Sequence, residues 1–291
     1  MSSLPQDLAP PDALKGVRVG VSVSVTPDLA RLGLLESHFR LALGEIARSV
    51  LVLGGTLAYG GHLEASGYTA FLVSELKRYG RRDRPLAVCL SWPEHRRFRL
   101  SRLEGWRRDL GLFGELTCLD PCGQPIAPHE GRGEHAEPET DPAVITRSLT
   151  SLRTVLTGIT HARVLIGGKR VGFLGEMPGV LEEALLALDA QQPLYLAGGF
   201  GGVTLDILRT VSPDATTWLP TYAQSNIQDA RYEAGLNRVA VSIGDNHWAG
   251  LRNGLCDTEN YLLAMTHRAS EIAALVSLGL SRLAKEGRLR C

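Results

Sequence analysis

The chain has 291 residues, 44% of them hydrophobic and 6% aromatic, and its 31 Lys plus Arg balance its 31 Asp plus Glu. That length suits one large α/β domain with an extra lobe, or two small halves. Zero formal net charge argues against a protein that grips nucleic acid through overall charge, and no apolar run reaches the roughly 18–20 residues of a membrane span.

Residues 1–15 have no basic end followed by an apolar run, so they read as a disordered lead and not as a secretory signal. "VRVGVSVSV" (17–25) alternates valine with small residues and predicts a buried strand. Residues 34–48 carry Leu35, Phe39, Leu43 and Ile46 at helical spacing. "SVLVLGG" (49–55) reads as the next strand, "TLAYGGHLEASG" as a loop, 68–80 as a helix stopped by Gly80, and 85–92 as a third strand. The basic stretch 96–111 is partly helical; "HRRFRLSR" (95–102), with Arg interleaved with Phe98, reads as a nucleic-acid contact or, in better accord with the neutral total, as a solvated face. A fourth strand is expected at 114–120.

The polar segment 121–141, rich in Pro, Gly, Glu and His, has little to bury and predicts a mobile loop or internal linker. Its His129 and His135 are read two ways: as metal ligands, or as solvated side chains of a flexible acidic loop. Of the five cysteines, Cys118 and Cys122 are close, but no second pair or histidine cluster gives a zinc pattern. Reduced thiols in a cytoplasmic protein are expected, with a Cys118–Cys122 disulfide as the alternative.

The second half repeats the rhythm: helix 141–159, strand "ARVLIGG" (162–168), helix 178–191, strand "PLYLAGG" (193–199), helix 202–211. A further short strand is read at 237–245, and one or two helices over 258–287 close the chain. Strand, double glycine and helix in succession predict a three-layer α/β fold with a mainly parallel sheet, in a single domain over 16–291.

In such a sheet ligands sit beyond the carboxyl ends of the strands. Gly54-Gly55, Gly167-Gly168 and Gly198-Gly199 are read as three such ends, converging at one edge. A tight turn explains any one of them, and all three together favour a ligand site. No loop ends in the GK[ST] of a phosphate-binding P-loop, and "GGFGGV" (198–203) matches a dinucleotide fingerprint only loosely. The candidate contacts are Gly54, Gly55, Tyr59, Gly60 and Gly61; Gly167, Gly168 and Lys169; Met177, Pro178, Gly179 and Glu182; and Gly198, Gly199, Phe200 and Gly201. Pro178 suits a first helical turn, and the free N–H groups that follow it suit phosphate. Glu182 and Glu183 are read two ways: as charge complementing the helix dipole, or with one carboxylate turned into the cleft. Tyr59 stacks on a base or packs on the domain. "GDNHWAGLRNG" (244–254) walls the pocket or is a capped loop.

At these residues the chain resembles a known superfamily. "GFLGEMPGVLEEALLAL" (172–188) resembles the PGGxGTxxE element of LOG-type phosphoribohydrolases, in the Rossmann-like SLOG superfamily. "LGGTLAYGGHLEASGYTAFLVSEL" resembles the first nucleotide loop and helix of that superfamily. "PLYLAGGFGGVTLDIL" and the tail from Asn253 are similar to bacterial members related to TRPM-channel amino-terminal domains and Thoeris-type defence effectors. The resemblance runs from about Gly16 onward. It implies a domain that binds or senses a nucleotide or ADP-ribose-type ligand, with no cofactor, in a homo-oligomer or beside an effector chain. The alternative it implies is an N-glycosidase with Glu183 as the catalytic carboxylate. Gly179 takes the place of the second-half glycine and Glu183 that of the closing glutamate, but Val180 stands where the hydrolases have threonine, and one glycine of the pair is missing. For the hydrolases' arginine the nearest candidates in sequence are Arg163 and Arg170, each of which also reads as a surface charge.

Overall fold

The computed structural model describes residues 9–64, 66–79, 82–216 and 229–289. Seven strands form one sheet: β1 Arg18–Ser24, β2 Thr56–Gly60, β3 Leu86–Leu90, β4 Gly114–Leu119, β5 Pro125–Ile126, β6 Ala162–Gly167 and β7 Leu194–Ala197. Their spatial order is β5-β4-β3-β2-β1-β6-β7. Every pairing is parallel except that of β5 with β4. The helices are α1 Asp28–Arg31, α2 Glu36–Val52, α3 Tyr68–Tyr79, α4 Trp92–Arg96, α5 Leu100–Leu110, α6 Pro142–Ile159, α7 Gly179–Asp189, α8 Gly202–Val211, α9 Ala230–Ile243, α10 Asp257–Met265 and α11 Ala269–Lys285.

The three layers follow from period-two alternation along strands that are buried on both faces. On one face Val19, Val21, Leu57, Val88, Val164 and Ile166 pack against Phe39, Leu43 and Ile46 of α2, Leu72 of α3, and Ile272 and Val276 of α11. On the other, Leu165, Leu194 and Leu196 meet α7, α8 and α9 through Leu181, Leu185, Ile207 and Val239. Ala58, Cys89 and Leu119 meet Leu152 and Leu156 of α6 on that same face. Strand order reverses between β1 and β6, whose register runs to Ser24 opposite Gly167. A crevice outside the carboxyl ends of those two strands is the usual ligand position of such a sheet.

Two sequence readings change. Residues 49–52 are the last turn of α2 and not a strand. The apolar series Phe39, Leu43, Ile46, Val50 runs straight through them at helical spacing and is buried throughout. Gly54 is the stop. It sits at φ +84, with Gly54 N–H donating to Leu51 O and Gly55 N–H to Val50 O, the left-handed glycine closure of a helix. The strand is instead "TLAYG", read from sequence as loop. Likewise 237–243 belong to α9, followed by a 3₁₀ turn at Gly244–Leu251 and not a strand. Tyr232, Gly235, Val239 and Ile243 are its buried residues, three to four apart.

The polar 121–141 segment contributes β5 and is tied down by its own charges. Arg132 donates to His95 O and Phe98 O, Glu134 accepts from Ser101, and Glu139 accepts from the Trp92 indole at 3.1 Å. Residues 9–15 form turns that bury Leu14, whereas 1–8, Gly80 and Cys291 lie outside the described residues. Among the described residues Cys89, Cys118, Cys122 and Cys256 are free thiols, so Cys118 and Cys122 are not bridged.

Candidate functional site

The glycines divide by sheet edge. Gly167-Gly168 follow β6 and Gly198-Gly199 follow β7, both at the carboxyl edge. Gly54-Gly55 precede β2, so they sit at the opposite edge, where a Cβ on Gly54 would lie 3.0 Å from Asp12. The third glycine pair at the carboxyl edge is Gly60-Gly61, at the end of β2. Tyr59 lies inside β2 and is buried at 4% exposure, not displayed on a loop.

The loop after β7 is closed on itself. Gly198, Gly199 and Phe200 are buried, and Phe200 meets Phe39 edge-on at 5.3 Å. A side chain on Gly199 would collide with Thr266 O, and one on Gly201 would lie 2.5 Å from Asp28 Cβ. These glycines let protein approach protein. The amino end of α8 is also occupied: Asp28, the first residue of α1, accepts from Gly202 N–H at 2.8 Å. Arg170 clamps the assembly from the loop after β6. It donates to Asp28 at 2.8 Å, to both carboxylate oxygens of Asp206, and to Gly202 O. Tyr232 of α9 adds a hydroxyl bond to Asp206. Burial opposes the Arg170 charge, but the bonds and charges of Asp206 and Asp28 outweigh it and hold its pKa above the ordinary guanidinium value. Arg170 is thus a buried loop clamp and not a surface charge.

The amino end of α7 differs. Pro178 precedes it without a side-chain cap, and the first recorded backbone bond runs from Glu182 N–H to Pro178 O. Among the described residues nothing accepts from the N–H groups of Gly179, Val180 or Leu181. Gly168 lies alongside, its Cβ position 3.1 Å from Val180 Cβ. Lys169, next in the chain, is exposed, whereas Met177 and Pro178 are buried.

Behind that helix start lies a charge cluster that sequence reading resolved only in part. Glu182 accepts from Arg153 and Thr150 of α6. Glu183 accepts from Ser22 of β1, and from Arg163 of β6 at 3.1 Å. Arg163, 1% exposed, also donates to Thr157 at 3.2 Å. Its burial pulls the guanidinium pKa down while Glu183 raises it. Arg153 Nε stands 4.0 Å from Glu183, and its guanidinium lies 2.9 Å from the Cβ positions of both Gly175 and Gly179. Two arginines and two glutamates therefore neutralise each other between the sheet, α6 and α7. Arg153 was missed from sequence. The signal was available: it falls in the buried series Ser148, Leu152, Arg153, Leu156, Thr157 of α6, where an arginine must have a partner.

With this geometry in place, the chain matches the family model described as SLOG cluster2 over residues 13–263. The chain belongs to the SLOG family. Its membership carries the coarse function, a nucleotide-related ligand that is bound or cleaved. No curated protein matches the chain. The SLOG domain here also has no helix among its described residues long and apolar enough to cross a membrane.

Proposed function

We propose that this SLOG domain binds a nucleotide or ADP-ribose-type ligand, with a phosphate at the amino end of α7, and acts as a sensor. The observation that carries the reading is the contrast between two helix starts at one sheet edge. The start of α8 is closed by Asp28, whereas Gly179, Val180 and Leu181 of α7 leave donors for an anion, which the helix dipole favours. Gly168, Lys169, Gly175 and Gly179 border that position.

Sensing is preferred to cleavage because Glu183 is already engaged. A general acid or base must reach the reacting atoms, and this carboxylate is held by Ser22 and Arg163. Val180 in place of the hydrolases' threonine agrees with that. Self-association and a partner chain that reads out binding belong to the proposal through the resemblance alone; a light-scattering mass near the 31.5 kDa of one chain removes the first.

The test is calorimetry of the purified chain with AMP, NAD and ADP-ribose, with chromatography of the same mixtures for free base. Binding without base release is expected, and Gly179→Val abolishes it. Glu183→Gln weakens binding by about 1–3 kcal/mol at most. Release of base, with Glu183→Gln lowering turnover far more than affinity, establishes the N-glycosidase instead. Unchanged affinity in Gly179→Val overturns the site.

A further inference from the structure

The amino edge of the sheet, opposite the α7 start, holds a cavity of about 500 Å³. That volume is in the range of small-molecule sites. The cavity lies where the chain enters β6 and β7. Thr160 and His161 line it before the first of these strands and Gln192 before the second, with Arg252 and Arg288 from later in the chain. Asn253, next to Arg252, donates from its side chain to Leu194 O at 3.0 Å, which brings Arg252 to the start of β7.

Gln192 is 9% exposed, and its amide nitrogen donates to Thr157 O and Thr160 O, both at 2.6 Å. Carbonyls only accept, so these two fix which end of the amide is nitrogen. The other end, Oε1, is buried without a hydrogen-bond partner, and a buried acceptor lacking a donor calls for a cause. His161 offers the complement. Its Nδ1 accepts from Arg18 N–H at 2.8 Å, and burial lowers its pKa, so the neutral ring carries its proton on Nε2 as a donor. Arg288 is paired with Glu286 at 3.0 Å, whereas the exposed Arg252 has no such pair among the described residues. Arg252 also holds a left-handed φ of +53, which is uncommon for any residue other than glycine.

We propose that this cavity binds a small zwitterion, an α-amino acid, with its ammonium on Gln192 Oε1 and its carboxylate on Arg252 and His161. The surrounding charge selects the ligand. The last turns of α6 and α11 line the cavity, as does the turn that follows α7. Helix carboxyl ends carry partial negative charge and favour a cationic group. A bare anion faces those ends and gives Gln192 no donor. A bare cation faces the Arg252 guanidinium. A zwitterion satisfies both, and its ammonium brings the donor that Oε1 lacks. The site lies at the other edge of the sheet from the proposed nucleotide position, and neither reading rests on the other.

The test is calorimetric titration of the full chain with each standard α-amino acid, up to about 10 mM. Any that binds is then compared with its decarboxylated amine and its des-amino acid. At least one amino acid is expected to bind, and each truncated analogue about tenfold more weakly or worse, since each loses a hydrogen bond to a charged group. Arg252→Asn removes the guanidinium from an exposed position and keeps a residue that tolerates the left-handed φ. Its thermal midpoint is expected to match the wild type while amino-acid affinity falls by roughly 10- to 100-fold. Binding of no amino acid at that concentration means that the cavity holds solvent and overturns the proposal. So does an analogue that binds as tightly as its parent, or an undiminished affinity in Arg252→Asn.

Discussion

Arg163 shows how a single residue is decided by its surroundings. In sequence it is one of many arginines. In the fold it is 1% exposed, and its two terminal nitrogens donate to Glu183, Ser22 and Thr157. Truncating one member of a buried ion pair leaves the other charge without compensation, at a cost of about 3–5 kcal/mol. Arg163→Ala is therefore expected to lower unfolding free energy by about 3 kcal/mol in urea titration. The Arg163→Met, Glu183→Leu double variant should recover much of that loss, because both charges go together. A cost under about half a kcal/mol for Arg163→Ala would show that the cluster contributes nothing to stability.

Among the elements, the glycine pairs look alike in sequence but end different structures. Gly54-Gly55 stop a helix at the amino edge of the sheet. Gly60-Gly61, Gly167-Gly168 and Gly198-Gly199 follow strands at the carboxyl edge. A Cβ at the left-handed φ of +84 costs about 1–2 kcal/mol before its contact with Asp12 is counted. Gly54→Ala is thus expected to lower thermal stability and to leave nucleotide affinity of the folded protein unchanged, in contrast to Gly179→Val. Loss of affinity in a folded Gly54→Ala would return that glycine to the site. The helices Tyr68–Tyr79 and Ala269–Lys285 spend their apolar faces on the core through Leu72, Leu76, Ile272, Val276 and Leu280.

For the whole molecule, pH dependence follows from histidines buried in the neutral state. His95 is 1% exposed, and burial lowers its pKa from 6.5 to about 4, despite the bond from its ring to Leu119 O at 3.1 Å. His161 is shifted in the same direction by burial. As pH falls from 6.5 toward 4, the unfolded chain takes up a proton at His95 that the folded chain refuses. Stability therefore falls across that window, by about 3 kcal/mol over its full width for His95. His95→Gln keeps a donor for Leu119 O and should flatten the curve between pH 4 and 6.5. Parallel curves for variant and wild type would refute the assignment.

The sequence by itself determined the layer architecture, because period-two and helical spacings of apolar residues are local signals. The helix entered through Pro178 was legible on the same grounds, and its glutamates were noted without their partners. Local signals did not distinguish "SVLVLGG" as a helix end from the same letters as a strand end, since β-branched residues and a double glycine serve both. Only the tertiary structure decided that, by burying Val50 on the helical face of α2. It also decided the site. Ser22, Arg153 and Arg163 meet Glu182 and Glu183 from elements up to 161 residues apart in sequence. Asp28 closes α8 from 174 residues away. Spacing along the chain carries no information on such pairings, because they depend on which strands lie adjacent and on which charges burial forces to find one another.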